Sequence, residues 1–397
     1  MPADPGPRAK SGVRGPGGTG RILLVTNDYP PRRGGIESFV FSLCAGLPPS
    51  DLVVYTARMR GSASIDRQVA YEVIRDGSRL LLPTPRVARA VRDLMIEQGC
   101  DRVAFGAAAP LGLLAGGLRA SGARRLVGLT HGHEVWWAKV PGARALLRRI
   151  GREVDVLTYV SDFCGAEIAK ALRPVDARAM VRMSPGVDLD VFRPGLDGGP
   201  VRRSLGIGDA QQVVVAASRL VARKGHDVLL EAWPRVVARH PDAVLLVVGS
   251  GPARRRLARK ARGLTVAGSV RFLAGVAWSD MPAVYAAGDV FAMPCRTRLR
   301  GLEPEALGIV FLEAAACGLP VVVGASGGAP ETAIDGETGY VVDPRSTREV
   351  AARITSLLAD PEQAKAMGLR GREWVRRAYS PGTAAATLSR VLATGGP

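Results

Sequence analysis

A chain of 397 residues is long for one hydrophobic core, and its 48 glycines and 28 prolines punctuate many short elements. That excludes a helical bundle and favours alternating strands and helices in two domains. A net charge of +18 asks for an anionic partner (a phosphate-bearing substrate or an anionic membrane surface) unless it is compositional bias, while 5% aromatics and the lack of a nucleic-acid motif argue against nucleic acid.

Residues 1–20, rich in Gly, Pro and basic side chains, have no apolar run and read as a disordered tail, not a signal peptide. Residues 21–27 (RILLVTN) read as a buried strand opening a Rossmann-like unit. The loop after it carries Gly34 and Gly35 before a helix, a place where backbone can approach a phosphate. It is not G-x-G-x-x-G, which disfavours a nicotinamide cofactor. Strands are expected near 52–56, 69–75, 102–105 and 126–130. The most apolar run, Ala104 to Leu118, is broken by Pro110 and glycines and is too short to span a bilayer. His131 stands at the end of the next strand. His131-x-His133 on so short a turn lacks partner ligands, so no metal is expected.

Two segments, 85–98 and 142–154, set arginines beside an apolar face, with Trp136 and Trp137 just before the second. They read either as helices adsorbed to anionic lipid or as Rossmann helices packed on their sheet. Residues 195–200 are Gly/Pro-rich and make a linker, giving domains at 21–194 and 195–379, with 380–397 as a helix crossing back to the first. Five dispersed cysteines (Cys44, Cys100, Cys164, Cys295, Cys317), with no Cys-x-x-Cys pair, fit reduced thiols in a cytoplasmic protein.

The second half restarts with a strand at 213–218, followed by Arg219 and Lys224 ahead of Gly225 and a helix. Arg offers a flat fork and Lys a point charge, both suited to phosphate oxygens. A strand and turn are expected at 270–276. The richest stretch is 305–323, EALGIVFLEAAACGLPVVV, in which Glu305 and Glu313 flank a Gly308 turn and a small-residue helix. It follows a short strand at 289–294, so Glu305 stands at a strand's carboxyl end, where open α/β sheets bind ligands. The free amides at the helix start suit hydroxyls or phosphate.

Taken together, Pro31-x-x-Gly34-Gly35-x-Glu37, Arg219-Leu220-x-x-x-Lys224-Gly225, and Glu305-x7-Glu313 followed by Cys317-Gly318-x-Pro320-Val321-Val322 resemble the retaining glycosyltransferases of family 4. The resemblance covers about residues 21–393. It implies the GT-B architecture, α/β with two Rossmann-like domains whose parallel sheets face a cleft, with the acceptor on the first and a nucleotide sugar on the second. It implies His131 and Glu305 on the donor sugar, Arg219, Lys224 and the amides of Gly34 and Gly35 on the diphosphate, Glu313 on the ribose, and Val276, Gly308, Ile309 and Val310 around the nucleotide. It implies no metal or other cofactor, and a front-side displacement that retains anomeric configuration.

Within the family, residues 130–142 (THGHEVWWAKVPG) and 326–332 (SGGAPET) are most similar to the phosphatidylinositol mannoside mannosyltransferases. That implies GDP-mannose as donor, a phosphatidylinositol monomannoside as acceptor, and a peripheral position on the inner face of the cell membrane. A UDP-sugar enzyme with another acceptor is the alternative, and a non-catalytic two-Rossmann binding protein a third. Ala306 departs from the family pattern, in which Glu-Gly is commoner after the first carboxylate.

Overall fold

Short apolar runs form the strands of two separate parallel sheets in the computed structural model, which describes residues 20–32 and 34–393. The expected tail, except Gly20, and residues 394–397 of the expected final segment lie outside the described residues. The first sheet holds β1 (Arg21–Thr26), β2 (Leu52–Ala57), β3 (Glu72–Asp76), β4 (Cys100–Phe105), β5 (Arg125–Leu129), β6 (Val156–Tyr159) and β7 (Val181–Arg182), in the order β3-β2-β1-β4-β5-β6-β7. The second holds β8 (Val213–Ala217), β9 (Val244–Val248), β10 (Val270–Leu273), β11 (Val290–Met293), β12 (Val321–Gly324) and β13 (Gly339–Val342), in the order β10-β9-β8-β11-β12-β13. Every pairing is parallel, as in Val25 opposite Phe105 and Phe291 opposite Val215. Helices must then cover both faces, which is why β8 and β9 are buried along their whole length and read as unbroken Val/Leu/Ala runs. Each sheet reverses its order once, between β1 and β4 and between β8 and β11. Ligands of such sheets bind outside the carboxyl ends at that switch point.

The two arginine-rich helices turn apolar side chains into the first domain's core. Pro85–Glu97 starts where Thr84 accepts a hydrogen bond from the Val87 amide, and it buries Val87, Val91, Leu94 and Met95. Pro141–Glu153 buries Leu147 and Ile150. Each such side chain removed from water stabilises by roughly 1.5–3 kcal/mol, so these faces belong to the core and the arginines face solvent. Among the described residues no helix is long and apolar enough to cross a membrane.

The last helix, Pro381–Leu392, packs on the first sheet's domain. Its Leu388 and Leu392 meet Val40, Leu43 and Leu129, and the Val391 carbonyl accepts from Arg125 Nε at 2.8 Å. The chain therefore passes between the domains twice, and the two passes touch: the Val187 amide donates to the Tyr379 carbonyl at 2.9 Å.

Some boundaries differ from expectation. The strand expected at 69–75 begins at Glu72, whereas the strand and turn expected at 270–276 are a strand to Leu273 and a loop that carries Val276. The two-residue β7 and the edge strand β13 have no counterpart in the sequence reading. β7 has only two residues, too few for an apolar pattern to stand out from a loop, and β13 opens on a glycine between turns.

Candidate active site

The loop after β8 is pressed against the end of β11. Gly225 has φ +75°, and a Cβ there would lie 1.9 Å from the Pro294 carbonyl oxygen, so only glycine fits this crossing. The close approach delivers Lys224, which is buried, to Glu305. Its Nζ is 2.8 Å from Glu305 Oε2, and Arg223 Nε stands 3.8 Å from the same oxygen. Glu305 is equally enclosed, its amide donating to Ser326 Oγ at 3.1 Å and its carbonyl accepting from the Gly328 amide at 2.9 Å. Burial works against a charge on Glu305, but Lys224 and then Arg223 outweigh it and hold the carboxyl below its ordinary value.

Three residues on, Gly308 caps the Ile309–Ala316 helix, whose first amides, Ile309 and Val310, are half-buried. Glu313 lies on the buried side of this helix and accepts a hydrogen bond from the Tyr285 hydroxyl at 2.8 Å. Among the described residues no cation is shown paired with it, and burial pushes its carboxyl up to about 7 despite hydrogen bonds from Tyr285 and Trp278. Arg219 is exposed and lines an open cleft of about 540 Å³ with Arg223, Arg256, Arg298 and Glu303, a strongly cationic wall beside Lys224. Val276 is half-buried in its loop and packs against the core.

The first domain brings His131 to the other side. Its Nε2 lies 2.6 Å from the Gly106 carbonyl after β4, its amide donates to Glu134 Oε2 at 3.0 Å, and Phe39 meets it edge-on at 5.9 Å. A carbonyl only accepts, so Nε2 carries the hydrogen and Nδ1 is left as an acceptor. Burial lowers the pKa of His131, which is therefore a neutral group at physiological pH. His133 lies 3.1 Å from the Ala109 carbonyl and 3.2 Å from Glu134 Oε1. Among the described residues no group of three His, Cys, Asp or Glu side chains is placed to hold a metal ion.

Across the interface the expected residues converge. A Cβ on Gly132, next to His131, would lie 2.3 Å from Ala306 Cβ, so the His131 turn abuts the residue after Glu305. Gly34 caps the Gly35–Ala45 helix, and a Cβ on Gly35 would come 3.9 Å from Ile309 Cγ2. Lys224, Glu305, the His131 turn, Gly35 and the Ile309 helix start are thus brought together where the two domains meet. The cleft lined by Arg219 and Arg223 lies on the second domain's side of this meeting point. Sequence reasoning missed Arg223, Ser326, Tyr285 and the Gly106 carbonyl. Of these only Ser326, in the S-G-G turn, carried any signal.

Comparison with known proteins agrees with this geometry. The model of the glycosyl transferases group 1 family matches residues 200–374, and that of Glycosyltransferase Family 4 matches residues 33–191. A GDP-mannose-dependent alpha-(1-6)-phosphatidylinositol monomannoside mannosyltransferase of Mycolicibacterium smegmatis is 46% identical over 376 residues, covering 94% of this chain and 98% of the relative. A GDP-mannose-dependent monoacylated alpha-(1-6)-phosphatidylinositol monomannoside mannosyltransferase of Corynebacterium glutamicum is 43% identical, covering 91% and 94%. In fold the chain is similar to Anabaena HepE in complex with UDP and glucose, with a TM-score of 0.78 at 20% identity, covering 94% of this chain and 99% of that one. Sucrose-phosphate synthase from Thermosynechococcus elongatus gives 0.77 at 22%, covering 94% and 98%. Two doubly wound domains, a cationic cleft on the second and this near-full-length likeness lead to one assignment: the chain is a glycosyltransferase of family 4 with the GT-B architecture, and it belongs to one family with those mannosyltransferases.

Proposed function

We infer that this chain transfers mannose from GDP-mannose to the inositol of phosphatidylinositol monomannoside, giving the dimannoside. The observation that carries the reading is the 46% identity over 94% of the chain to a mannosyltransferase of that name. In the reaction, the bond between mannose C1 and the diphosphate oxygen breaks as C1 bonds to an acceptor hydroxyl on the same face. The acceptor's proton passes to the departing phosphate oxygen. Such a step needs orientation and charge stabilisation more than a protein nucleophile.

Lys224 is suited to this because it stands between two anions, the Glu305 carboxylate and the developing charge on the diphosphate, with Arg219 on the wall of the adjacent cleft. Glu305 and neutral His131 accept hydrogen bonds from sugar hydroxyls, and the Ile309 and Val310 amides face the nucleotide. Glu313 takes the ribose and Val276 flanks the base. The amides of Gly34 and Gly35 approach the diphosphate from the first domain. The reading requires no metal, since these cations supply the positive charge.

The acceptor is a membrane lipid, and the rim of the first domain suits a peripheral position on the inner face of the cell membrane. Leu80 and Leu82 are 51% and 47% exposed on either side of Leu81, whose backbone is clamped by both ends of the Asn27 amide at the carboxyl end of β1. Exposed apolar side chains amid arginines adsorb to anionic bilayers. Replacing both leucines by aspartate should halve co-sedimentation with anionic vesicles or reduce it further, while transfer to a detergent-dispersed acceptor stays near wild type. Unchanged co-sedimentation removes this surface from the reading.

The deciding experiment incubates the purified protein with labelled GDP-mannose and phosphatidylinositol monomannoside, with UDP-sugars in parallel. Label in the lipid phase from GDP-mannose alone is expected. Transfer only from a UDP-sugar overturns the donor and with it the lipid mannosyltransferase reading.

A further inference from the structure

The residue after Glu305 is held by the other domain. Ser161 Oγ, fully buried, donates to the Ala306 carbonyl at 2.6 Å, and Cys164 Sγ lies 3.5 Å from the same oxygen. Ser161 also accepts from the Cys164 amide at 3.2 Å and so caps the Asp162–Ala169 helix. On the far side, Gly132 leaves no room for a side chain against Ala306. Glu331, in the turn that carries Gly328, accepts from the Asp162 and Phe163 amides of that helix at 2.9 and 3.0 Å, and pairs with Arg182 at 3.1 Å. The segment after Glu305 is thus clamped between two elements of the first domain.

A buried hydroxyl satisfied as acceptor by its own helix and as donor by the opposite domain has both roles filled only while the domains are together. We propose that Ser161 is a positioning residue for sugar transfer, setting the Glu305 carboxylate from across the cleft. The carboxylate then takes its working position only in the apposed state. The donor nucleotide, held chiefly by second-domain groups, binds without it. This rests on the reading of Glu305 as the group that holds the donor sugar.

The test compares Ser161→Ala, Glu305→Gln and the double variant with Ser346→Ala, which removes the cap that accepts from the Glu349 amide at 3.1 Å, past the outer edge strand of the second sheet. Ser161→Ala should lower kcat roughly 10- to 100-fold, the cost of a small misplacement of a reacting group. The Kd for GDP and the KM for GDP-mannose should stay within about twofold, and Ser346→Ala should keep kcat within about twofold, as a merely destabilising change would. The double variant should be no slower than Glu305→Gln alone, because both changes disable one device. Should Ser161→Ala fail to fold, Ser161→Asp keeps the cap's acceptor and loses the donor, and the same fall in kcat is expected.

Wild-type kcat in Ser161→Ala, or losses that multiply in the double variant, overturn the proposal while leaving Glu305's role standing. Full transfer by Glu305→Gln instead removes that role, and Ser161's with it. A wild type that uses UDP-glucose in place of GDP-mannose defeats the donor assignment alone, and the same ratios read with that sugar decide the role of Ser161.

Discussion

Glu305 and Glu313 are the same residue type, eight positions apart and each 6% exposed, yet their acidities move in opposite directions. Desolvation acts on both. At Glu305 a buried lysine at 2.8 Å and an arginine at 3.8 Å reverse it, whereas Glu313 has the neutral Tyr285 hydroxyl and Trp278. Burial sets the cost of a charge and the partner decides whether it is met. One carboxylate is kept ionised beside its lysine. The other changes protonation near neutral pH.

The comparison breaks most completely at Lys224. Lys224→Met strips Glu305 of its nearest cation and, on the proposed reading, the diphosphate of a point charge, so kcat/KM should fall on the order of 10³-fold, by the size of losses at preorganised charge-stabilising groups. What remains should rise with pH, because a buried carboxyl must then ionise with only the more distant Arg223 to favour its charge. A residual rate that is flat with pH would show that the Glu305 charge is irrelevant.

Glu313→Gln tests the other half. The folded protein holds a proton on Glu313 up to about pH 7, whereas an unfolded chain releases it near the ordinary value of 4.5. The group's stabilising contribution is therefore complete below pH 4.5 and lost as pH rises through 7, an effect on the order of 3 kcal/mol at most. Glu313→Gln should flatten the decline in Tm between pH 5 and 8 relative to wild type. Equal slopes would mean that Glu313 is ionised throughout. Glu305, whose value is lowered, contributes in the opposite sense, its stabilisation being lost on acidification.

The smallest effect is expected from Tyr285→Phe. It removes one hydrogen bond, about 1 kcal/mol, and lets burial lift Glu313 further, so the Tm decline should move to higher pH. A shift to lower pH would contradict the role given to the hydroxyl.

This contrast also marks how far the sequence was legible. The alternation of buried strands with helices was plain in runs such as VVVAA and VLLVV, and the spacing of Arg219, Lys224, Glu305 and Glu313 pointed to the cleft. The difference between the two glutamates was not visible, because it arises from Lys224, Arg223 and Tyr285, brought in from distant parts of the chain by packing. The strand and turn expected at 270–276 divide at Leu273, where Ala274-Gly275 ends the pairing and leaves Val276 in the turn. Ala306, a departure from the family pattern, is seated against a glycine that leaves space for its methyl group.

The return of the Pro381–Leu392 helix to the first domain has a consequence for biosynthesis. Val40, Leu43 and Leu129 lie in the half of the chain that leaves the ribosome first, but their partners Leu388 and Leu392 follow only after the entire second sheet. A nascent first domain must wait with that apolar seam uncovered, a state prone to misassociation. Its maturation is therefore tied to completion of its neighbour.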